Sequence, residues 1–242
     1  SINGNISAAS GAYLYNASTN TSYGYFGNLT INDGATTVTN GGGVNDGINS
    51  TATFLAHNLT KNGAGSFAIK SANSYYGTTT INTGTLKLGI NNALYNALYN
   101  ATPLLINTGA VLDMASFNQT LGSLTGTGTI TSATASATPL ITIGNLNTNT
   151  TFSGVIENGA ATSLSLTKTG SGTLILSGNS TYTGATTISA GVINIQHANA
   201  LGNSSKTTVA SGDALQLQGG ITVGALPLTI KGVGVSTTGA LR

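Results

Sequence analysis

Acidic and histidine side chains are the residues here best suited to chemistry, since they supply the acids, bases and metal ligands of most active sites. The 242-residue chain has five acids and two histidines, namely Asp33, Asp46, Asp113, Glu157, Asp213, His57 and His197. They are widely separated, and the histidines do not occupy equivalent positions of the repeat described below. Glycoside hydrolases need paired carboxylates, and lyases need clustered acids with a basic residue. We therefore predict no catalytic residue, no metal site, no cofactor and no enzymatic activity, unless folding brings these acids into one groove.

The composition is polar but hardly ionic. Charged residues make up 5% of the chain, the formal net charge is +2, and 39% of the residues are hydrophobic. The few basic residues are spread along the chain, so no patch for nucleic acid is predicted. There is no cysteine, which excludes disulfides and thiolate metal sites. No apolar run approaches the ~20 residues of a transmembrane helix, and the first residues lack a signal-peptide pattern, so we expect a processed product or a piece of a longer protein.

An internal repeat organises the chain. The stretch "LTKNGAGSFAIKSANSYYGTTTINTGTLKLG" from Leu59 recurs without a gap as "LTKTGSGTLILSGNSTYTGATTISAGVINIQ" from Leu166. Further on, "PLLINTGAVLDM" from Pro103 matches "KTTVASGDALQL" from Lys206 at a shorter spacing. The tandem "ALYN" at 93–96 and 97–100 explains the four extra residues of the first copy and predicts a protruding loop or one helical turn. We divide one continuous solenoid domain into weakly matching N-terminal coils at 1–58, a first unit at 59–165 and a truncated second unit at 166–242.

Short strands separated by Gly, Asn, Ser or Thr are predicted throughout. Many have two apolar residues around one polar residue, as in Leu86-Lys87-Leu88 and Ile193-Asn194-Ile195. This alternation buries one side of each strand, and the intervals are too short for crossover helices. Glycine is expected at the corners, where a positive φ is needed. The pattern predicts an all-β fold, a parallel β-helix of about 12 coils at roughly 20 residues per coil.

The second unit resembles a known family. Residues 151–205 include "SGVI" and "LTKTGSGTLILSGNSTYTGATTISAG", and they are similar to the autotransporter-associated β-strand repeat of bacterial autotransporter and adhesin passengers. The phrases "FNQTLGSLTGTGTI" from Phe117 and "GGITVGALPLTIKGVGVSTTGALR" from Gly219 extend the likeness. The resemblance implies a right-handed β-solenoid on the outer surface of a bacterium or outside it.

Tyrosines outside the shared core of the repeat are the candidate partner contacts. Tyr182 and its equivalent Tyr75 recur in the two copies, so a structural role is predicted for them. The chain has no tryptophan, which weakens the case for a sugar-stacking platform. The predicted contact residues are Tyr95 and Tyr99 in the duplicated loop and Tyr13, Tyr15, Tyr23 and Tyr25 near the N-terminus.

A repeated unit lengthens a rod, whereas a catalytic pocket needs a single copy. The leading hypothesis is therefore an extracellular, non-enzymatic structural β-solenoid that forms a stalk, a coat or a self-assembling fibre. Self-association, end to end or side by side, is expected because neither terminal sequence has a recognisable cap. The alternative is an adhesin that presents its tyrosine-bearing loops to a host surface or glycan.

Overall fold

The computed structural model describes residues 58–69, 77–94 and 102–242, together with the backbone of four short strands before residue 58. Within these residues the fold is all-β, with parallel strand pairing throughout and a single 3₁₀ turn at Val235–Thr237. The strands stack into three sheets that wind around one core. The prediction of a parallel β-solenoid is confirmed.

Sheet I is the longest and contains ten strands, here numbered in chain order. They are β2 (Ile6–Ala8), β4 (Leu29–Asn32), β5 (Leu59–Asn62), β7 (Thr79–Ile81), β9 (Pro103–Ile106), β12 (Ser123–Gly126), β15 (Thr150–Phe152), β18 (Thr173–Leu176), β20 (Val192–Ile195) and β22 (Ala214–Leu217). A bridge between Leu215 and Leu241 begins the next layer of this sheet.

Sheets II and III form the other two sides. Sheet II has five strands, which are β6 (Ser66–Ile69), β8 (Thr85–Leu88), β10 (Val111–Asp113), β13 (Thr129–Thr131) and β16 (Val155–Ile156). Sheet III has six strands, which are β11 (Gln119–Leu121), β14 (Leu140–Ile143), β17 (Ser165–Lys168), β19 (Thr186–Ile188), β21 (Thr207–Val209) and β23 (Leu228–Ile230). A separate pair joins β1 (Ile2–Asn3) to β3 (Tyr25–Phe26).

Alternate residues of each strand point into the core, as the sequence pattern predicts. In sheet II, Phe67, Leu86, Leu112, Ile130 and Ile156 are paired layer upon layer and all are buried. Each inward side chain therefore packs on the equivalent one in the next layer. This ladder removes apolar surface from water, which is the main driving force for folding.

The coils are longer than predicted, so there are fewer of them. Ile193 is the partner of Leu174 one layer later in sheet I, but the partner of Leu29 one layer later is Leu59, much further along the chain. Eight of the ten layers of sheet I lie at or beyond Leu59. The estimate of about 12 coils was too high because it assumed roughly 20 residues per coil, whereas several successive paired residues of sheet I lie further apart in the sequence.

The two repeat units occupy different sides of the solenoid. The first two strands of the first unit, β5 and β6, belong to sheets I and II, whereas their equivalents β17 and β18 belong to sheets III and I. Between β5 and β17 the chain returns to sheet I four times, at β7, β9, β12 and β15. From β15 it continues through sheet II at β16 to sheet III at β17, which is two sides further around the solenoid. The repeat length is therefore not a whole number of turns. Equivalent residues of the two units face different directions.

Glycine forms the tightest corners, as predicted. Gly191 has a φ of 73°, and a Cβ at this position would lie 2.5 Å from the carbonyl oxygens of both Gly170 and Gly172 in the preceding coil. Gly84 has the same surroundings in the first unit. Any other residue would strain the backbone and collide with the coil below. Glycine thus sets how closely successive corners stack.

In the described part of the chain, the structure contains no helix that could serve as an apolar membrane span.

Candidate interaction surfaces

Two of the acidic residues that the structure describes serve backbone corners. Asp113 accepts hydrogen bonds through Oδ1 from the amides of Ala115 at 2.8 Å and Ala133 at 2.9 Å, and its Oδ2 lies 3.4 Å from Lys87 Nζ. Asp213 accepts a 2.7 Å hydrogen bond from the amide of Gly191.

Glu157 directly follows β16 in sheet II, and the register of β10, β13 and β16 places it in line with Thr131 and Asp113, two layers or about 9.6 Å beyond Asp113. Asp213 precedes β22 of sheet I, on a different side of the solenoid from Glu157. Within the described residues no group of three or more His, Asp or Glu side chains could hold a metal ion. Asp33, Asp46 and His57 lie outside those residues.

His197 lies in the turn that follows β20. Its Nδ1 accepts a 3.0 Å hydrogen bond from the amide of Asn199. The same turn is tied to the preceding coil, because Asn199 Nδ2 donates to Asn179 Oδ1 at 2.9 Å. Both contacts are part of the stack of coils and neither forms a reactive constellation.

The predicted partner-contact tyrosines are not placed by the structure. Tyr13, Tyr15, Tyr23, Tyr95 and Tyr99 lie outside the described residues, and Tyr25 is described only as part of the backbone of β3. Their assignment remains a prediction.

Tyr182 is structural, as predicted. It is fully buried, and its hydroxyl lies 2.7 Å from Thr186 Oγ1. It lies between β18 of sheet I and β19 of sheet III, in a coil that has no strand in sheet II. A large side chain therefore fills the core at the position where a strand is missing.

A buried lysine with no predicted role recurs in both repeat units. Lys61 and Lys168 stand in inward columns, where they are stacked on Ile81 and Ile188, respectively. Their exposures are 0% and 1%. The burial of these lysines could have been inferred from the alternation Leu-Thr-Lys, because it places the lysine on the same side of the strand as the buried leucine.

The ammonium group of each lysine is held by backbone carbonyls. Lys168 Nζ donates to the carbonyl oxygens of Thr169 at 2.6 Å, Gly170 at 2.7 Å and Ala190 at 3.2 Å. Lys61 makes the equivalent bonds to Asn62, Gly63 and Thr83. Two acceptors lie in the lysine's own corner and the third in the next coil. The side chain therefore fastens one coil to the next from inside.

Asp213 continues this connection in the second unit. The peptide group between Ala190 and Gly191 makes two hydrogen bonds. Its carbonyl oxygen accepts from Lys168 Nζ, and its amide donates to Asp213 Oδ1, so one peptide group connects the two opposite charges. Burial lowers the pKa of Lys168 to about 8, and attraction by Asp213 partly opposes this shift. Ala110 occupies the equivalent position in the first unit, which lacks the carboxylate.

The outward faces are lined with uncharged polar ladders. On sheet I, Asn82 Nδ2 donates to Asn62 Oδ1 and Asn107 Nδ2 donates to Asn82 Oδ1, both at 2.7 Å. On sheet III the central outward position is threonine in every strand from β11 to β23. Such surfaces offer repeated hydroxyl and amide groups rather than a pocket. They are therefore candidates for contact with another extended partner.

Comparison with known proteins agrees with the internal repeat. The passenger-associated-transport-repeat family matches residues 59–88 and 166–195. The chain is also 33% identical over 202 residues to the adhesin BmaC autotransporter of Brucella suis biovar 1 (strain 1330). This match covers 81% of the chain but 5% of that relative, so the chain spans a small part of the relative's length. No solved structure matches.

The fold, the duplicated unit and these matches lead to one assignment. The family matches begin at Leu59 and Leu166, where the two copies identified from the sequence also begin. The chain is an extracellular β-solenoid that carries two copies of the passenger-associated-transport repeat.

Proposed function

We propose that the chain is a non-enzymatic structural segment, a rod that forms part of a stalk, coat or fibre on a bacterial surface. The observation that carries this proposal is the unbroken stack of layers from β5 to β22, in which Asp113, Asp213 and the two buried lysines bind backbone corners. Their hydrogen-bonding capacity is used to join coils. Rigidity along the stack is what a scaffold requires.

The layer of β23 supports a scaffold in which further layers stack along the axis. Leu228 and Ile230 are each 39% exposed, whereas their partners one layer earlier, Thr207 and Val209, are at most 1% exposed. The inward side chains of β23 therefore present apolar surface along the axis of the solenoid. A further parallel layer, from a longer chain or from a second copy, would cover them and pair the strand edge.

Electron microscopy of the purified chain at neutral pH tests this function. The ten layers of sheet I, at about 4.8 Å each, predict that β2 and β22 of one chain are about 43 Å apart. Filaments much longer than this would support axial stacking of copies. Ile230→Lys, which places a charge on the apolar surface of β23, should prevent these filaments. Lys231→Thr is the matched control, because Lys231 follows β23, is exposed, and its substitution leaves the apolar surface intact. Isolated rods at all concentrations would argue against a self-assembling fibre and leave the stalk.

The second candidate function is adhesion, and the name of the relative favours it, since that protein is described as an adhesin. In this case the rod presents Tyr95 and Tyr99 to a host surface or glycan. Particles coated with the chain would attach to host cells, and Tyr95→Ser with Tyr99→Ser would abolish attachment. Tyr182→Phe is the control, because this tyrosine is buried. Equal attachment by all variants would eliminate these tyrosines as the contact.

A further inference from the structure

We propose that the threonine ladder of sheet III is a self-complementary contact through which two copies of the chain pack side by side with antiparallel axes. This inference rests on the proposed scaffold function and adds a lateral contact to it. The ladder consists of the outward threonines of six consecutive strands, which are Thr120, Thr142, Thr167, Thr187, Thr208 and Thr229.

The ladder is regular and accessible. Each threonine is paired with the next across the sheet, so the six side chains form one line about 24 Å long at about 4.8 Å per strand. The first five are half-buried and Thr229 is exposed. Within the described part of the chain none of the six hydroxyls has a hydrogen-bond partner. The line therefore presents a methyl and a hydroxyl group at every layer.

The repeat distance determines which partner fits. Parallel strands impose the same spacing on any solenoid of this fold, so two such faces stay in step over all six layers. The repeat distance of a polysaccharide is set by its own linkages, so it is not expected to match the spacing of the threonines over all six layers. Stacked strands with small side chains can interdigitate closely across such an interface. A second copy of the chain is thus the partner that fits this surface.

The charges favour antiparallel axes. The two residues that flank each threonine on the same face are uncharged in the first four strands, but Lys206 flanks Thr208 and Lys231 flanks Thr229. Both lysines are exposed. A parallel pair would gather four ammonium groups at one end of the interface. Antiparallel axes place two at each end, opposite uncharged layers, and bring Thr142 of one copy opposite Thr208 of the other.

The contact is small. A face about 24 Å long and about 10 Å wide gives roughly 240 Å² per partner, well below the ~800 Å² of a stable complex. Association of two chains through the ladder is therefore weak and rises with concentration. The interface grows with the number of layers, so the same contact strengthens if neighbouring chains stack end to end.

Cysteine cross-linking tests the contact, because the chain has no cysteine of its own. Thr142→Cys and Thr208→Cys are prepared separately, each alone and as an equal mixture, and are oxidised at high protein concentration. The expected result is at least five-fold more disulfide dimer between the two variants than within either one. Thr151→Cys, which is exposed on sheet I, is the control for random collision. Circular dichroism checks that each variant keeps the β fold.

Three results would overturn the proposal. Cross-linking in the mixture that does not exceed that of Thr151→Cys would remove the ladder as a contact, and faster dimerisation of Thr208→Cys with itself would contradict antiparallel axes. A Thr187→Lys variant is also expected to lower self-association more than Thr151→Lys does. Loss of binding to a neutral polysaccharide in Thr187→Lys, without loss of self-association, would identify a glycan as the partner instead. End-to-end filaments would be unaffected by any of these results, so the scaffold function is tested separately.

Discussion

Removal of the buried ammonium group of Lys168 should loosen the second repeat unit while the first stays intact. Lys168→Met keeps an unbranched apolar stem in the core but has no donor for the three carbonyl oxygens that the ammonium binds. The first unit still has Lys61 in the equivalent position. The chain therefore contains its own reference for the experiment.

The magnitude follows from two opposing effects. A hydrogen bond from a charged donor contributes about 1.5–3 kcal/mol, and buried acceptors left without a donor are costly. Methionine, however, does not require the desolvation of an ammonium group, which recovers part of the loss. For the three bonds at 2.6, 2.7 and 3.2 Å we expect a net loss of about 3 kcal/mol. This loss corresponds to roughly a 100-fold increase in local opening.

Amide hydrogen exchange followed by mass spectrometry reads out this change by segment. Peptides from 166–195 in Lys168→Met should exchange about 100-fold faster than in the unaltered chain, while those from 59–88 keep their protection. Lys61→Met should give the reverse pattern. Unchanged exchange in both segments would refute the role of Lys168 in fastening one coil to the next. Equal acceleration of exchange in both segments would show a global rather than a coil-specific effect.

Three further outcomes are expected. The free energy of unfolding should rise from about pH 8 to about pH 10, because burial lowers the pKa of Lys168 to about 8 and the unfolded chain then holds more protons. Above about pH 10 the free energy of unfolding should fall, because burial raises the pKa of Tyr182 and the folded chain then holds more protons. Denaturant titrations of Lys168→Met and Tyr182→Phe should lose the rising and falling limbs in turn. Gly191→Ala should cost about 2 kcal/mol more than Gly212→Ala, because both have positive φ but only the first meets two carbonyl oxygens of the preceding coil, and equal melting temperatures would contradict this argument. Asp113→Ala should cost about 2 kcal/mol by leaving two amides without their acceptor, whereas truncation of its half-exposed lysine partner should cost less than about 1 kcal/mol, as measured by urea unfolding.

The sequence contained enough to predict the solenoid and its repeat but not the faces on which the two copies lie. Period-two alternation identifies the inward residues, and the gap-free match of the stretches from Leu59 and Leu166 identifies the copies. The side on which a strand lies depends on how many residues each intervening corner consumes. The sequence separation of paired residues is far smaller for Leu174 and Ile193 than for Leu29 and Leu59. Local patterns do not determine the sum of such intervals.

The interaction surfaces were harder to predict than the core. Tyr95 and Tyr99 were predicted as contacts because they are conspicuous in a chain with few aromatic side chains. The threonine ladder consists of a common kind of surface residue, and only the pairing of Thr142, Thr167 and Thr187 reveals it as a line. The role of the buried lysines escaped prediction for a similar reason, since a lysine in a strand is ordinarily expected to face water.

The incomplete turn between the repeat units has a consequence for how such rods grow during evolution. The second unit starts two sides further around the solenoid than the first. If further copies kept this offset, three copies would cover the three sides and the next one would point in the original direction again. Tandem duplication of the gene segment would thus lengthen the rod and place any surface carried by the unit on each side of the rod in turn. A rod made in this way could bind neighbours on every side through copies of one binding surface.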